Sequence, residues 1–89
     1  MSHVDYDELP EHMRDGAELY VEQGIEPGDF MLAILCNDLV GACERADSVN
    51  LHRLVAWATW LKWECPHSAW GNKSKVADWV DKGGLRGLE

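Results

Sequence analysis

Proline and glycine punctuate this chain at Pro10, Gly24, Pro27–Gly28, Pro66 and Gly83–Gly84. The stretches between them repeat their apolar residues every three to four positions, a helical period, and none alternates like a half-buried strand. Four helices are therefore predicted, at about 9–23, 30–45, 49–64 and 73–82. Each has a start or stop signal. Pro10 falls in the first turn of the first helix, where proline is tolerated, and Gly24 suits its C-terminal stop. Asp29, Asp47 or Ser48, and Asn72 are N-cap candidates for the next three. Pro66 ends the third helix because the residue before a proline disfavours helical backbone. The short connections favour an all-α, compact four-helix bundle in a single domain of 89 residues. Residues 1–8 are expected to be loosely ordered, and 84–89 to form a tail.

Projection at 100° per residue separates the faces of each helix. In the first, Leu9, Met13, Ala17 and Tyr20 make one apolar stripe. The first half of the second helix is apolar nearly all round, which predicts a central position. The third places Leu51, Leu54, Trp57, Ala58 and Leu61 on one broad face. The fourth has a seam of Val76, Trp79 and Val80.

Charge is distributed unevenly. Residues 1–29 carry nine acids and one base, Arg14, so they hold the chain's entire formal charge of −8. A nucleic-acid binder needs a basic face, so direct nucleic-acid binding is not expected. The acids point to a basic protein partner or to solubility alone. Glu11, Asp15, Glu18 and Glu22 follow an i, i+4, i+7, i+11 pattern. They form a row with neighbours about 6 Å apart, and no Lys or Arg completes it. Such spacing resembles that of charges along a nucleic-acid strand. It suits a surface that docks on a basic, nucleic-acid-binding groove. The plainer reading is a solvated face.

The three cysteines have no disulfide-type spacing, which suggests a reducing cytoplasm. Cys36, Cys43, Cys65, His52 and His67 invite a zinc hypothesis. Cys36 and Cys43 share a helix face in this reading but stand about 10.5 Å apart along the axis, too far for one tetrahedral zinc. They read better as small buried hydrophobes. No metal and no cofactor is expected. Cys65 and His67 flank a proline without an orienting third group, so no catalytic residue is assigned and the chain is not expected to be an enzyme. The acidic, polar N-terminus is unlike a secretory signal, and no apolar run approaches a membrane span.

The tryptophans carry the remaining signal. Trp57 and Trp60 fall on or beside the core face of the third helix. Trp63 projects to the other side with His52 and Thr59 on its stripe. Either the loop "CPHSAW" folds over Trp63, or a partner covers it.

The segments "LPEHM", "YVEQGIEPGDF", "NDLVGACERAD" and "WGNKSKVADWVDKGG" together resemble a family of small proteins encoded by bacteriophages and prophages. The resemblance spans about Leu9 to Leu85. Where that family pattern begins its last segment with Gly-Ser-Pro-Glu, this chain has Gly71-Asn72-Lys73-Ser74, which keeps a capping residue and loses the N1 proline. The resemblance implies only a context, a non-structural accessory protein in the bacterial host cytoplasm; by analogy, small acidic phage proteins without catalytic motifs often bind and inhibit host factors, as counter-defence proteins do. It transfers no catalytic residue. The expected partner-binding residues are Glu11, Asp15, Glu18, Glu22, His52, Thr59 and Trp63. The alternatives are a self-associating structural or regulatory protein, such as a homodimer, or a small-molecule or nucleotide sponge with a Trp-lined pocket. For the sponge, Arg53, Lys62, Lys73 and Lys75 are the cation candidates.

Overall fold

Two of the four predicted helices are broken, and the breaks decide which side chains reach the core. The computed structural model describes residues 4–88; residues 1–3 and 89, which belong to the expected loose N-terminal segment and tail, lie outside it. Among the described residues there are six α-helices and no strand. They are α1 (Glu11–Gln23), α2 (Asp29–Leu35), α3 (Leu39–Arg45), α4 (Ser48–His52), α5 (Leu54–Trp63) and α6 (Lys73–Lys82). Two 3₁₀ turns, His67–Ala69 and Gly84–Leu88, flank α6. The chain is all-α, but the predicted 30–45 and 49–64 helices are each two shorter ones.

The first break is a helix stop built on Asn37, which sits in the left-handed region at φ 63°. Asparagine tolerates that region better than most residues. The Asp38 N–H bonds back to the Ala33 carbonyl and the Asn37 N–H to that of Ile34, the paired closing bonds of a helix C-terminus. Asp38 then caps α3 by accepting the Gly41 N–H at 3.0 Å. This turns Leu39 and Val40 out to solvent.

The second break is at Arg53, whose N–H reaches the Asn50 carbonyl in a tight i→i+3 step. The tightening swings Leu51 outward, so Leu51 and Ala58 do not share the buried face predicted for them. Asp47 caps α4 through the Asn50 N–H at 2.7 Å. Asn72 caps α6 through the Lys75 N–H at 2.9 Å. Asp29 is not a cap. It is the first residue of α2, and Gly28 precedes it in extended backbone.

The core gathers Leu9, Ala17, Tyr20 and Val21 against Phe30, Met31 and Leu35, with Trp57, Trp60 and Trp79 fully enclosed. Trp57 stands edge-on to Phe30 and Trp60, with ring centroids 5.4 and 6.1 Å away. The indole N–H groups of these three tryptophans each have an acceptor, whereas the buried Trp70 N–H has none. Trp57 donates to Asn50 Oδ1, Trp60 to the Asp5 carbonyl and Trp79 to the Tyr20 carbonyl. The Tyr20 hydroxyl donates to the Ala69 carbonyl. The Tyr20 and Trp79 bonds join α1, α6 and the 67–69 turn, while Trp60 ties α5 to the N-terminal segment and Trp57 ties it to α4.

The described part of the N-terminal segment is bonded down. Tyr6 stacks at a tilt on Trp60, the Asp5 N–H donates to Glu64 Oε1, and Arg14 donates to the Asp7 and Leu9 carbonyls. At the other end, Gly24 (φ 68°) closes α1 and lies against Gly84 (φ 70°). A Cβ on either glycine would come within 2.6 Å of the other's backbone nitrogen, so this crossing admits no side chain.

Candidate functional site

Three surfaces stand out once the core is removed from consideration. The first is the outer face of α1. Glu11, Asp15 and Glu18 are exposed and Glu22 is half-buried. The core stripe of α1 fixes this geometry by holding Ala17, Tyr20 and Val21 inward. No Lys or Arg lies within 4 Å of these four carboxylates among the described residues, where the one close basic–acidic contact is His12 Nε2 to Asp47 Oδ2 at 3.0 Å. Arg14, the lone base of the first third, is turned onto the Asp7 and Leu9 carbonyls instead. Glu22 and Glu18 lie close enough to Tyr6 to add to the effect of burial, which raises the pKa of its hydroxyl.

The second surface is the outer face of α5. Trp63 is 70% exposed and Val55 82%, so the 65–70 loop does not cover this tryptophan. The Lys62 ammonium sits 5.1 Å from the Trp63 ring centroid, a cation–π contact at an exposed site. Thr59 lies on the same helix and donates to the Val55 carbonyl. His52 belongs to α4, beyond the Arg53 break, and its ring bonds the Ser48 carbonyl. The predicted His52–Thr59–Trp63 stripe is therefore not carried by one continuous helix.

The third surface was not foreseen in the sequence. It is a groove of about 770 Å³ between α2 and α6. Its apolar lining comes from Leu32, Ala33 and Cys36 on α2 and just beyond it, and from Val76, Ala77 and Val80 on α6. The groove exists because α6 rests chiefly on the two 3₁₀ turns rather than on α2. The Gly71 N–H, donated to the Leu35 carbonyl at 2.8 Å, ties the start of α6 to the end of α2. No tryptophan lines this groove, so a Trp-lined pocket for a small molecule is not what it offers. Of the four cation candidates, Lys73 lines the groove, while Lys62 stacks on Trp63.

The cysteines fall into three environments. Cys65 is buried, and burial pushes its thiol up to about 12, so it is held protonated and is a poor nucleophile. Cys36 is half-buried in the groove; burial raises its pKa and nearby Lys73 partly opposes this. Cys43 is exposed on α3 rather than buried as predicted, because the Asn37 break rotates the helix that carries it. No three His, Cys, Asp or Glu side chains gather into a metal site among the described residues. No helix there is long and apolar enough to cross a membrane.

Compared with known proteins, the chain matches no family model, no curated protein and no solved structure.

Proposed function

We propose that this is a non-enzymatic, phage-type accessory protein that binds a host protein in the bacterial cytoplasm. It docks the acidic face of α1 on a basic, nucleic-acid-binding surface and blocks that surface, as a counter-defence inhibitor would. Binding needs no cofactor and no covalent chemistry. The observation that carries this reading is the row Glu11, Asp15, Glu18 and Glu22 on one 13-residue helix, with no Lys or Arg within 4 Å among the described residues. Like charges at i+3 and i+4 repel each other, so this row weakens the helix that bears it. A protein using charge for stability would pair these acids.

The test is capture from bacterial lysate with the unaltered protein and with a variant in which all four acids are Lys. The unaltered protein should retain a partner that elutes as ionic strength rises. The variant should lose it while keeping its helical circular dichroism. Retention of the same partner by the variant at low salt sinks the proposal.

The second reading is self-association through the α5 face. It is favoured by the exposure of Trp63 and Val55, since tryptophan is enriched at binding hot spots. A strict monomer in light scattering at high protein concentration removes it.

A further inference from the structure

We propose that the groove between α2 and α6 seats an amphipathic helix of a partner protein, with that helix's Lys and Arg gathered toward one end. This is a recognition surface separate from the acidic face of α1 and does not depend on that reading.

The shape comes first. Leu32, Ala33 and Cys36 follow i, i+1, i+4, and Val76, Ala77 and Val80 repeat the same spacing on the facing helix. The two walls are therefore matched apolar strips of about one helical turn or more. A third helix laid between them would insert residues at i, i+3 or i+4, and i+7. With α6 ten residues long, the groove spans about 15 Å, or roughly three turns of an occupant.

An extended peptide fits less well. The walls are helices whose backbone groups are already bonded internally, so they offer no ladder to a strand. An occupant pressed onto apolar walls must satisfy its own backbone, which a helix does.

Charge then selects the occupant. Because the end of α2 is tied to the start of α6, the helices line the groove in opposite senses. Among the lining residues, Lys73 opens α6 and Asp38 follows α2, at the tied end, with Arg45 beside Asp38 at Gly41. Asp29 opens α2, Glu26 precedes it and Asp81 lies in the last turn of α6, at the end where Gly84 meets Gly24. The groove thus carries three carboxylates at one end and a slight positive excess at the other. The acidic end matches a cluster of Lys and Arg and repels anionic lipid. It also repels a second copy's α1, whose exposed face is acidic.

The probe is a synthetic 18-residue helix of Leu and Lys, with the lysines concentrated in one half. A scrambled peptide of the same composition and a Leu/Glu peptide serve as controls. The readout is alkylation of Cys36 in a Cys43→Ser background, because Cys36 lies in the groove and Cys65 is buried. The Leu/Lys helix should slow alkylation of Cys36 at least tenfold. Ala77→Trp, which fills the groove from an exposed position, and Asp29→Lys/Asp81→Lys should each weaken its binding at least tenfold. Replacing the four α1 acids with Lys should leave Cys36 protection intact, which separates this proposal from the function proposed above. Equal protection by the scrambled peptide would overturn it, leaving only charge attraction. It is overturned equally if Ala77→Trp, with native helical circular dichroism, leaves binding unchanged. Protection by a single-chain quaternary ammonium amphiphile but not by the peptide would replace the helix with a small ligand. Protection that rises with protein concentration alone would replace it with a second copy.

Discussion

Gly24 should be among the least replaceable residues of this chain. It occupies the left-handed region at φ 68°, where a side chain costs about 1–2 kcal/mol. An added Cβ would also stand 2.6 Å from Gly84 N, 2.8 Å from Gly83 C and 2.9 Å from Gly83 Cα. All three are backbone atoms, so none can rotate aside. Overpacking of this kind costs about 1–3 kcal/mol. Gly24→Ala should therefore lose about 2–5 kcal/mol. Small domains have only about 0.05–0.15 kcal/mol of stability per residue, so this is a large share for an 89-residue chain. At about 4–8 °C per kcal/mol, Tm should fall by about 10 °C or more. The assay is urea unfolding followed by helical circular dichroism, with Gly28→Ser as the comparison. Gly28 has extended backbone ahead of α2, and a Cβ there meets nothing within 4 Å. Serine at that N-cap should be neutral or stabilising by a few tenths of a kcal/mol. A Gly24→Ala protein within about 0.5 kcal/mol of the unaltered one would refute the close crossing of the two glycine segments, since only ordinary surface positions are that tolerant.

Asn50→Leu should cost about 1–3 kcal/mol in urea unfolding, because it strands the buried Trp57 N–H that Asn50 Oδ1 accepts at 3.1 Å. Trp57→Phe in that background should cost less than Trp57→Phe alone. Asp47 has its pKa lowered first by the Asn50 N–H and then by the His12 side chain. Its stabilisation is present above the unfolded carboxyl value, near 3.9, and is lost as pH falls through the lower folded value. Asp47→Asn should therefore flatten part of the acid limb of Tm against pH. Thiol alkylation at mildly alkaline pH should modify Cys43 first, Cys36 more slowly and Cys65 only on unfolding, as mapped by peptide mass spectrometry. Trp63→Ser should leave stability within about 0.5 kcal/mol, and sedimentation velocity should show less self-association wherever the unaltered protein has any.

The sequence carried the helical class and most of the inward stripes, because periodicity and glycine stops act locally. Trp57, Trp60, Trp79 and Tyr20 could be assigned to the core from spacing alone, and all four are enclosed. The Asn37 break was legible in principle. Asn37-Asp38 joins a residue that tolerates left-handed backbone to an N-cap with glycine three positions on, but the apolar run on either side reads as one helix. The Arg53 break has no such signal. It shows only as the Arg53 N–H bonding to the Asn50 carbonyl, within a stretch whose apolar period reads as one helix. His52 consequently fell on the wrong helix in the stripe drawn for it. The acidic face of α1 was readable because its four residues lie on one continuous helix, whereas the groove unites α2 with a helix some forty positions away.

Folding also rearranges the charge that the sequence sets out. By sequence, the first 29 residues hold the net −8 and the rest balances to zero. That division suggests a single acidic surface at one end of the chain. In the structure, Asp81 from the neutral part joins Glu26 and Asp29 from the acidic part along one end of the groove. Lys73, from the same helix as Asp81, is placed at the other end. The neutral two-thirds is thus neutral only on average, and α6 presents opposite signs at its two ends. The molecule therefore carries two distinct acidic surfaces, the face of α1 and one end of the groove. The acidic row of α1 offers mainly charge, so any binding through it should fade as salt rises. The groove adds apolar walls, so its binding should lose only the charged fraction. A salt titration on the two sets of variants separates the surfaces. Contacts made by α1 should vanish at high ionic strength, while those made by the groove should persist in part and disappear with Ala77→Trp.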